Sequence, residues 1–424
     1  MFFSSAVVFA KAREVYEKMK KLVRAEHFDV EKFCTLRSGN SEVYFLGEKY
    51  SFAEEEKNCD RFLQRFDACL VFTYRHSIRD LKSEGGEEIA SDAGWGCMLR
   101  VAQMMLAQAL LRSCSATGPG TTATAPRSVR RCLADEVGAP LGIQEFCKIG
   151  CEGAFGSRQV GKWFGPTSAA LVAAELLNRH HERIKDVLML SEDREGGTSK
   201  IPHGITFDEG PVYEDELRNA LEKGPAVMWV CRRLGFEGKR VQYESGLLAL
   251  FTLPQFLGIG SGNDGVSAHW FVGCYRDKPG AVASLMNTST ASSSGEVDGS
   301  SADHDEPYLI YFDPHCAVLE GDTSFTSSDE GGSHSRLAEY AELTRSCCGV
   351  LKARYLNTSL CLGFLLTDWA DWEEVKGRLS DDSIVPKGLD LIEILKEKPK
   401  PWNPEDAGAQ LEVLDDEDDD ALLL

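Results

Sequence analysis

The sequence predicts an α+β fold, in which short buried strands share a core with a few helices. Three observations carry this expectation. Residues 98–111 contain no Gly or Pro and are rich in Ala, Leu, Met and Gln, which is strong helix composition. Ala226–Arg232, Ala268–Tyr275, Tyr308–Phe312 and Leu360–Leu366 are short apolar runs of strand length. Stretches rich in Ser, Gly, Asp and Pro punctuate the chain between these segments, and no internal repeat is present. With 424 residues, 43% of them apolar, the chain can bury one large core or two ordinary ones.

In chain order, residues 5–25 place Val15, Met19, Leu22 and Val23 at helical spacing among Lys11, Arg13, Lys18, Lys20, Lys21 and Arg24. This is an amphipathic N-terminal helix (1–30) that packs on its own domain, with peripheral membrane contact as the minority reading. Met1–Ala12 lacks the basic leader of a signal peptide and reads as the start of that helix. Glu42–Phe52 reads as a strand entering a turn, and Phe62–Tyr74 as a short apolar segment leading toward Cys97. Ser113–Ser128 is a surface loop, and Thr167–Asn178, after Gly165-Pro166, is a helix. Val187–Leu190 is expected to be a buried strand, and the turn-rich stretch 191–213 a small accessory lobe. Gly258–Gly265 carries four glycines and is expected to be a mobile loop. Residues 279–307 and 321–335 read as disordered insertions. Trp369–Leu379 is an acidic helix, and 396–424 a flexible acidic tail.

Net charge is −21, of which residues 405–424 supply nine acids and no base, leaving −12 for the rest. A body this acidic argues against nucleic-acid binding. The fourteen Cys form no regular framework, and adjacent Cys347-Cys348 suits disulfides poorly, so a reducing cytoplasm fits best. Cys147 and Cys151 lack a second well-spaced ligand pair, and neither a metal nor another cofactor is expected. Gly156–Lys162 resembles a phosphate loop, but the next residue is Trp163 rather than Ser or Thr, which excludes an NTPase reading. No apolar run approaches the ~18 residues of a membrane span.

Two stretches can carry chemistry. In Ser91-Asp92-Ala93-Gly94-Trp95-Gly96-Cys97 a glycine-permissive loop runs into the first turn of the 98–111 helix. Unpaired N–H groups and the helix dipole there favour a thiolate, so Cys97 is a candidate nucleophile. Asp313-Pro314-His315 closes the Tyr308–Phe312 strand, where residues two apart share a face and a carboxylate could orient an imidazole. A cysteine nucleophile needs such a base. His269, in Ala268-His269-Trp270-Phe271, competes for that role, and the residues alone leave both candidates open. The remaining seven histidines have no partner that the sequence indicates.

Phe72-Thr73-Tyr74-Arg75, Gly94-Trp95-Gly96-Cys97-Met98-Leu99-Arg100, Gly161-Lys162-Trp163-Phe164-Gly165-Pro166 and Tyr311-Phe312-Asp313-Pro314-His315, in this order, resemble the autophagins. The likeness runs from about Val43 to Leu379. The resemblance implies a papain-like cysteine protease fold, with residues 31–395 as the catalytic domain. It also implies a cysteine endopeptidase that cuts a ubiquitin-like autophagy modifier after a C-terminal glycine. The same enzymes release that modifier from phosphatidylethanolamine, so the soluble precursor and the lipid-conjugated form are both expected partners. Cys97 is then the nucleophile, His315 the base, Asp313 its orienter, and Tyr74 an oxyanion donor beside the Cys97 backbone N–H. Trp163 is the implied wall of a narrow glycine channel, with Trp95 and the loop residues Gly260, Ser261 and Gly262 completing the substrate-binding set. Departures are the missing Pro before Asn263, Val101 where another Cys is frequent, and a tail whose Leu422–Leu424 lack the aromatic of a modifier-docking motif. Phe33-Cys34-Thr35-Leu36 has such an aromatic–aliphatic spacing and is a candidate docking segment. A deubiquitinase or acyltransferase with the same Cys–His–Asp set, and an inactive modifier-binding scaffold, are the alternatives.

Overall fold

The computed structural model describes residues 28–36, 42–52, 56–114, 127–155, 160–189, 200–208, 210–234, 240–261, 267–277, 306–316, 318–320, 344–381 and 391–399. Helices run over Val30–Leu36 (α1), Glu56–Asp67 (α2), Cys97–Cys114 (α3), Arg127–Cys132 (α4), Ile143–Gly150 (α5), Pro166–Arg179 (α6), His181–Met189 (α7), Glu214–Leu221 (α8), Arg240–Leu250 (α9) and Trp369–Leu379 (α10). Strands are Glu42–Phe45 (β1), Glu48–Ser51 (β2), Tyr74–His76 (β3), His203–Phe207 (β4), Val212–Tyr213 (β5), Ala226–Arg233 (β6), Phe256–Ser261 (β7), His269–Asp277 (β8), Glu306–Phe312 (β9), Val318–Glu320 (β10), Cys348–Lys352 (β11), Ser359–Leu366 (β12) and Ile394–Leu395 (β13).

The strands read as unbroken apolar runs because the sheet is covered on both faces. Its nine strands follow the order β11-β9-β8-β7-β12-β6-β4, with the β1–β2 hairpin joined to β8. All pairs are antiparallel except β4–β6. Alternate side chains go to opposite cores, as the two-residue strand period requires. Along β6, Val227, Trp229 and Cys231 face the core shared with α3 and α6. Met228 and Val230 face the core shared with Leu217 of α8, Leu247 of α9 and Trp372 of α10. Trp229 and Trp372 are fully buried, so truncating either to Ala costs about 3–5 kcal/mol.

The helix α3 lies tight against the sheet because glycines face it. A Cβ at Gly260 would stand 2.6 Å from Cys361 Sγ and 3.2 Å from Val101, and one at Gly363 would stand 2.6 Å from Met105. Gly258–Ser261, expected as part of a mobile loop, is a buried strand in which Gly260 admits the helix and Gly258 the close approach of Phe271 and Trp270 on β8.

Other expectations are corrected as well. Residues 187–189 belong to the helix α7, whose buried side carries Ile184 and Leu188. The described part of 191–213 forms no lobe of its own: β4 extends the main sheet, and β5 pairs with β13. Phe33 is fully enclosed by Phe28, Phe52, Phe62 and Tyr275 within the core, so it is no docking anchor. The 279–307 stretch is shorter than expected, since β9 begins at Glu306. The rest of it, the 321–335 stretch, the helix expected over 5–25 and the tail from 400 lie outside the described residues. None of the fourteen cysteines forms a disulfide. Among the described residues no helix is long and apolar enough to cross a membrane.

Candidate active site

Cys97 opens α3 and is fully buried. The loop before it turns on the Asp92 carbonyl, which accepts from the N–H groups of Trp95 (3.2 Å) and Gly96 (2.8 Å). Gly94 supplies the left-handed step, at φ +86°.

Asp313 and His315 lie just past the end of β9. Their pairing comes from a turn rather than from a shared strand face, as the i, i+2 spacing had suggested. Asp313 Oδ1 accepts from the His315 backbone N–H at 2.8 Å and from its Nδ1 at 2.5 Å. The Asp313 N–H bonds the Cys347 carbonyl at 2.8 Å, anchoring the turn to the segment before β11. Tyr74 arrives on β3, which pairs in parallel with β10 just beyond His315. Its backbone N–H bonds the Pro314 carbonyl at 3.0 Å, and its ring meets the His315 imidazole edge-on at 5.1 Å.

The electrostatics follow from this packing. Burial alone would raise the Cys97 thiol, but His315, by hydrogen bond and by charge, lowers it below its ordinary value. The Tyr74 hydroxyl and the Trp163 indole N–H lower it further. Neither His315 Nε2 nor Trp163 Nε1 meets a well-aligned hydrogen-bond partner among the described residues, and both act on the Cys97 sulfur. Burial also works against a charged His315, yet the Asp313 carboxylate and Cys97 raise it to about 10. Asp313 in turn is held well below the usual carboxylate range, chiefly by the His315 charge acting against burial. Burial, with Cys97 and Asp92 nearby, pushes Tyr74 far up and keeps its hydroxyl protonated. A thiol lowered beside an imidazole raised by a carboxylate is the arrangement of an activated nucleophile and its base.

His269 stands one step past the Trp270↔Phe312 pair, across from Asp313, and reaches it at 3.5 Å. Burial lowers it to about 4, so it is neutral at pH 7. The groups that lower the thiol are His315, Tyr74 and Trp163, and His269 serves Asp313 instead. His269, Asp313 and His315 place ligand atoms within 4.8 Å of one another. The 2.5 Å His315–Asp313 contact is nevertheless tighter than the more than ~3 Å that separates ligand atoms on a tetrahedral zinc. The three residues fit a hydrogen-bonded pair with a neutral neighbour better than a metal set.

Among the described residues of the expected substrate-binding set, only Trp163 is half-exposed beside the thiol. Trp95 is buried, and its indole N–H is taken by the Ser91 carbonyl at 2.9 Å, so it braces the loop. Gly260 and Ser261 are fully enclosed in β7, where Ser261 Oγ donates to the Ser359 carbonyl at 2.8 Å. Gly262 lies outside the described residues.

A buried polar cluster behind the site leaves almost no trace in the sequence. Arg100 is inaccessible to solvent and binds Asp92 (2.7 Å), Asp135 (2.7 Å) and Gln103 (2.9 Å). Its only sequence signal is one Arg in an otherwise uncharged helical turn, and Asp135 is brought to it by the fold. His180, also without an expected partner, bonds Glu145 at 2.9 Å.

Residues 59–280 match the peptidase C54 catalytic domain. The chain is 26% identical over 367 residues to a probable cysteine protease ATG4 of Chaetomium globosum, covering 82% of this chain and 65% of that relative. It is 28% identical over 366 residues to the one of Cryphonectria parasitica (83% and 66%) and 24% identical over 367 residues to that of Schizosaccharomyces pombe (86% and 88%). The chain thus spans just under two-thirds of the length of the first two relatives. With the domain match across the Cys97 loop, and with its mixed helix-and-sheet architecture of papain-like type, the chain belongs to the peptidase C54 family.

Proposed function

We propose that this chain is a cysteine endopeptidase, with residues 31–395 as its catalytic unit. It cleaves a ubiquitin-like autophagy modifier after a glycine near its C terminus and releases the same modifier from phosphatidylethanolamine. The observation that carries the reading is the Cys97 thiol at a helix N-terminus, lowered by a His315 that Asp313 holds charged. The substrate class rests on the autophagin-like blocks and on relatives named as ATG4 cysteine proteases.

Cys97 attacks the glycine carbonyl as a thiolate, and His315 gives its proton to the leaving amine, forming a thioester. His315 then takes a proton from water, which hydrolyses the thioester and regenerates the pair. Tyr74, kept protonated by its buried setting, and the Cys97 backbone N–H donate to the oxyanion as its charge develops. Trp163 narrows the approach to the sulfur, so a glycine passes and a side chain does not. The same thioester chemistry serves a soluble precursor and a lipid amide, since both present an amide after glycine. A cytoplasmic location suits fourteen cysteines that form no disulfide.

The test is incubation with a C-terminally extended modifier, read by product mass. The expected product ends at the glycine, and replacing that glycine by Ala cuts turnover strongly. Equal rates for Gly and Ala, or cleavage elsewhere, contradict the reading.

A further inference from the structure

We infer that Asp92 is a positioning residue for this reaction, whose carboxylate fixes the Tyr74 hydroxyl relative to the Cys97 sulfur. The inference rests on the proposed roles of Cys97 and Tyr74 and adds a third residue to them.

Asp92 is fully buried and bonded in both directions. Toward the Tyr74 strand, its Oδ1 accepts from the backbone N–H of Arg75 at 2.6 Å, and its own N–H donates to the Arg75 carbonyl at 3.3 Å. Toward the nucleophile, its Oδ2 accepts from Arg100 Nε at 2.7 Å, one turn along α3 from Cys97. One carboxylate therefore ties the residue after Tyr74 to the first turn of the Cys97 helix. Ser91 adds a parallel strut, donating from Oγ to the Arg75 carbonyl at 2.8 Å. Arg100 cannot drift, because its other arm is held by Asp135 and Gln103. Gly96 is needed for the same reason, since a Cβ there would stand 2.7 Å from the Asp92 side chain.

A donor stabilises an oxyanion only within about 2.7–3.1 Å of the place where charge appears, so a small slip of β3 against α3 removes its effect. Asp92→Asn keeps the shape but not the clamp. Its one oxygen can accept from Arg75 or from Arg100, and its amide then points N–H groups at the other donor.

The experiment is a double-mutant cycle of Asp92→Asn with Tyr74→Phe. Hydrolysis of carbobenzoxyglycine p-nitrophenyl ester gives kcat and KM, and iodoacetamide alkylation of Cys97 is followed alongside. Alkylation needs the thiolate but no oxyanion donor. Asp92→Asn is expected to lower kcat about 10- to 100-fold with KM within about twofold. Alkylation should stay within about threefold of wild type, and Tyr74→Phe should cost less than about threefold further in the Asp92→Asn background. Losses that multiply, or an alkylation rate that falls as far as kcat, overturn the inference. A Tyr74→Phe variant with wild-type kcat refutes the donor role itself, and the inference with it. If Asp92→Asn does not fold, Ser91→Ala carries the same cycle. That milder variant removes one strut, and additive losses there overturn the inference equally.

Discussion

Arg100→Met tests the buried charge cluster that Arg100 forms with Asp92 and Asp135. The guanidinium and both carboxylates it touches are almost completely enclosed: side-chain exposure is 0% for Arg100 and Asp92 and 3% for Asp135. Methionine fills most of the stem's volume, so the change removes charge more than packing. It strands Asp92 without its charged partner and leaves Asp135 to the 3.5 Å contact with Arg75. Removing one partner from a buried charge cluster costs about 3–5 kcal/mol, because the remaining charge stays desolvated. In urea the unfolding midpoint should fall by about 1–2 M at pH 7. The pH dependence gives a second, independent sign. Burial already holds the Asp92 carboxyl above its ordinary 3.8, against the pull of Arg100 and of the Arg75 backbone N–H. A carboxyl that is raised on folding binds more protons in the folded than in the unfolded state. Its stability contribution is present below 3.8 and lost as pH rises through the folded pKa. Without Arg100 that folded value climbs further and the unfavourable window widens, so acidification toward about pH 5 should restore part of the variant's stability relative to wild type. A midpoint within about 0.3 M of wild type at pH 7, or a deficit unchanged by acidification, would refute the buried-clamp account.

His315→Ala should cut turnover by about 10³–10⁴, and His269→Ala by much less, since only His315 serves the thiol; steady-state kinetics on both variants would reverse the assignment if the order were inverted. The thiolate–imidazolium pair exists above the lowered Cys97 value and below the raised His315 value. Activity should therefore fall as pH rises toward about 10, and an alkaline limb centred near the ordinary imidazole value of 6.5 would contradict the charged pair. Phe33→Ala should destabilise the protein by about 3–5 kcal/mol, seen as a lower Tm, and leave modifier affinity of the folded fraction unchanged; loss of affinity without loss of Tm would return Phe33 to a docking role.

What the sequence disclosed, it disclosed through local patterns. The Gly94-Trp95-Gly96 loop running into a Gly-free apolar segment placed Cys97 at a helix start, and α3 begins there. The runs at 226–232, 308–312 and 360–366 became strands buried on both faces, because continuous apolar character is what such strands need. The failures share a cause. Val187-Leu188-Met189 is too short for periodicity to separate strand from helix, and its contacts with the rest of α7 decide. Gly258 and Gly260 look like loop punctuation until β8 is packed against the first and α3 against the second. Asp313 and His315 are legible as a pair, but a turn, which spacing cannot distinguish from a strand end, brings them together. The Asp92–Arg100–Asp135 cluster joins residues 35 apart between Arg100 and Asp135, and no local signal reports such a pairing.

The most direct measurement is covalent capture. The modifier ending in a glycine-derived thiol-reactive electrophile is incubated with the protein, and the adduct is mapped by peptide mass. The account requires a single adduct on the peptide carrying Cys97, absent in Cys97→Ala and strongly slowed in His315→Ala. No adduct on folded protein, or one on any of the other thirteen cysteines, would contradict it.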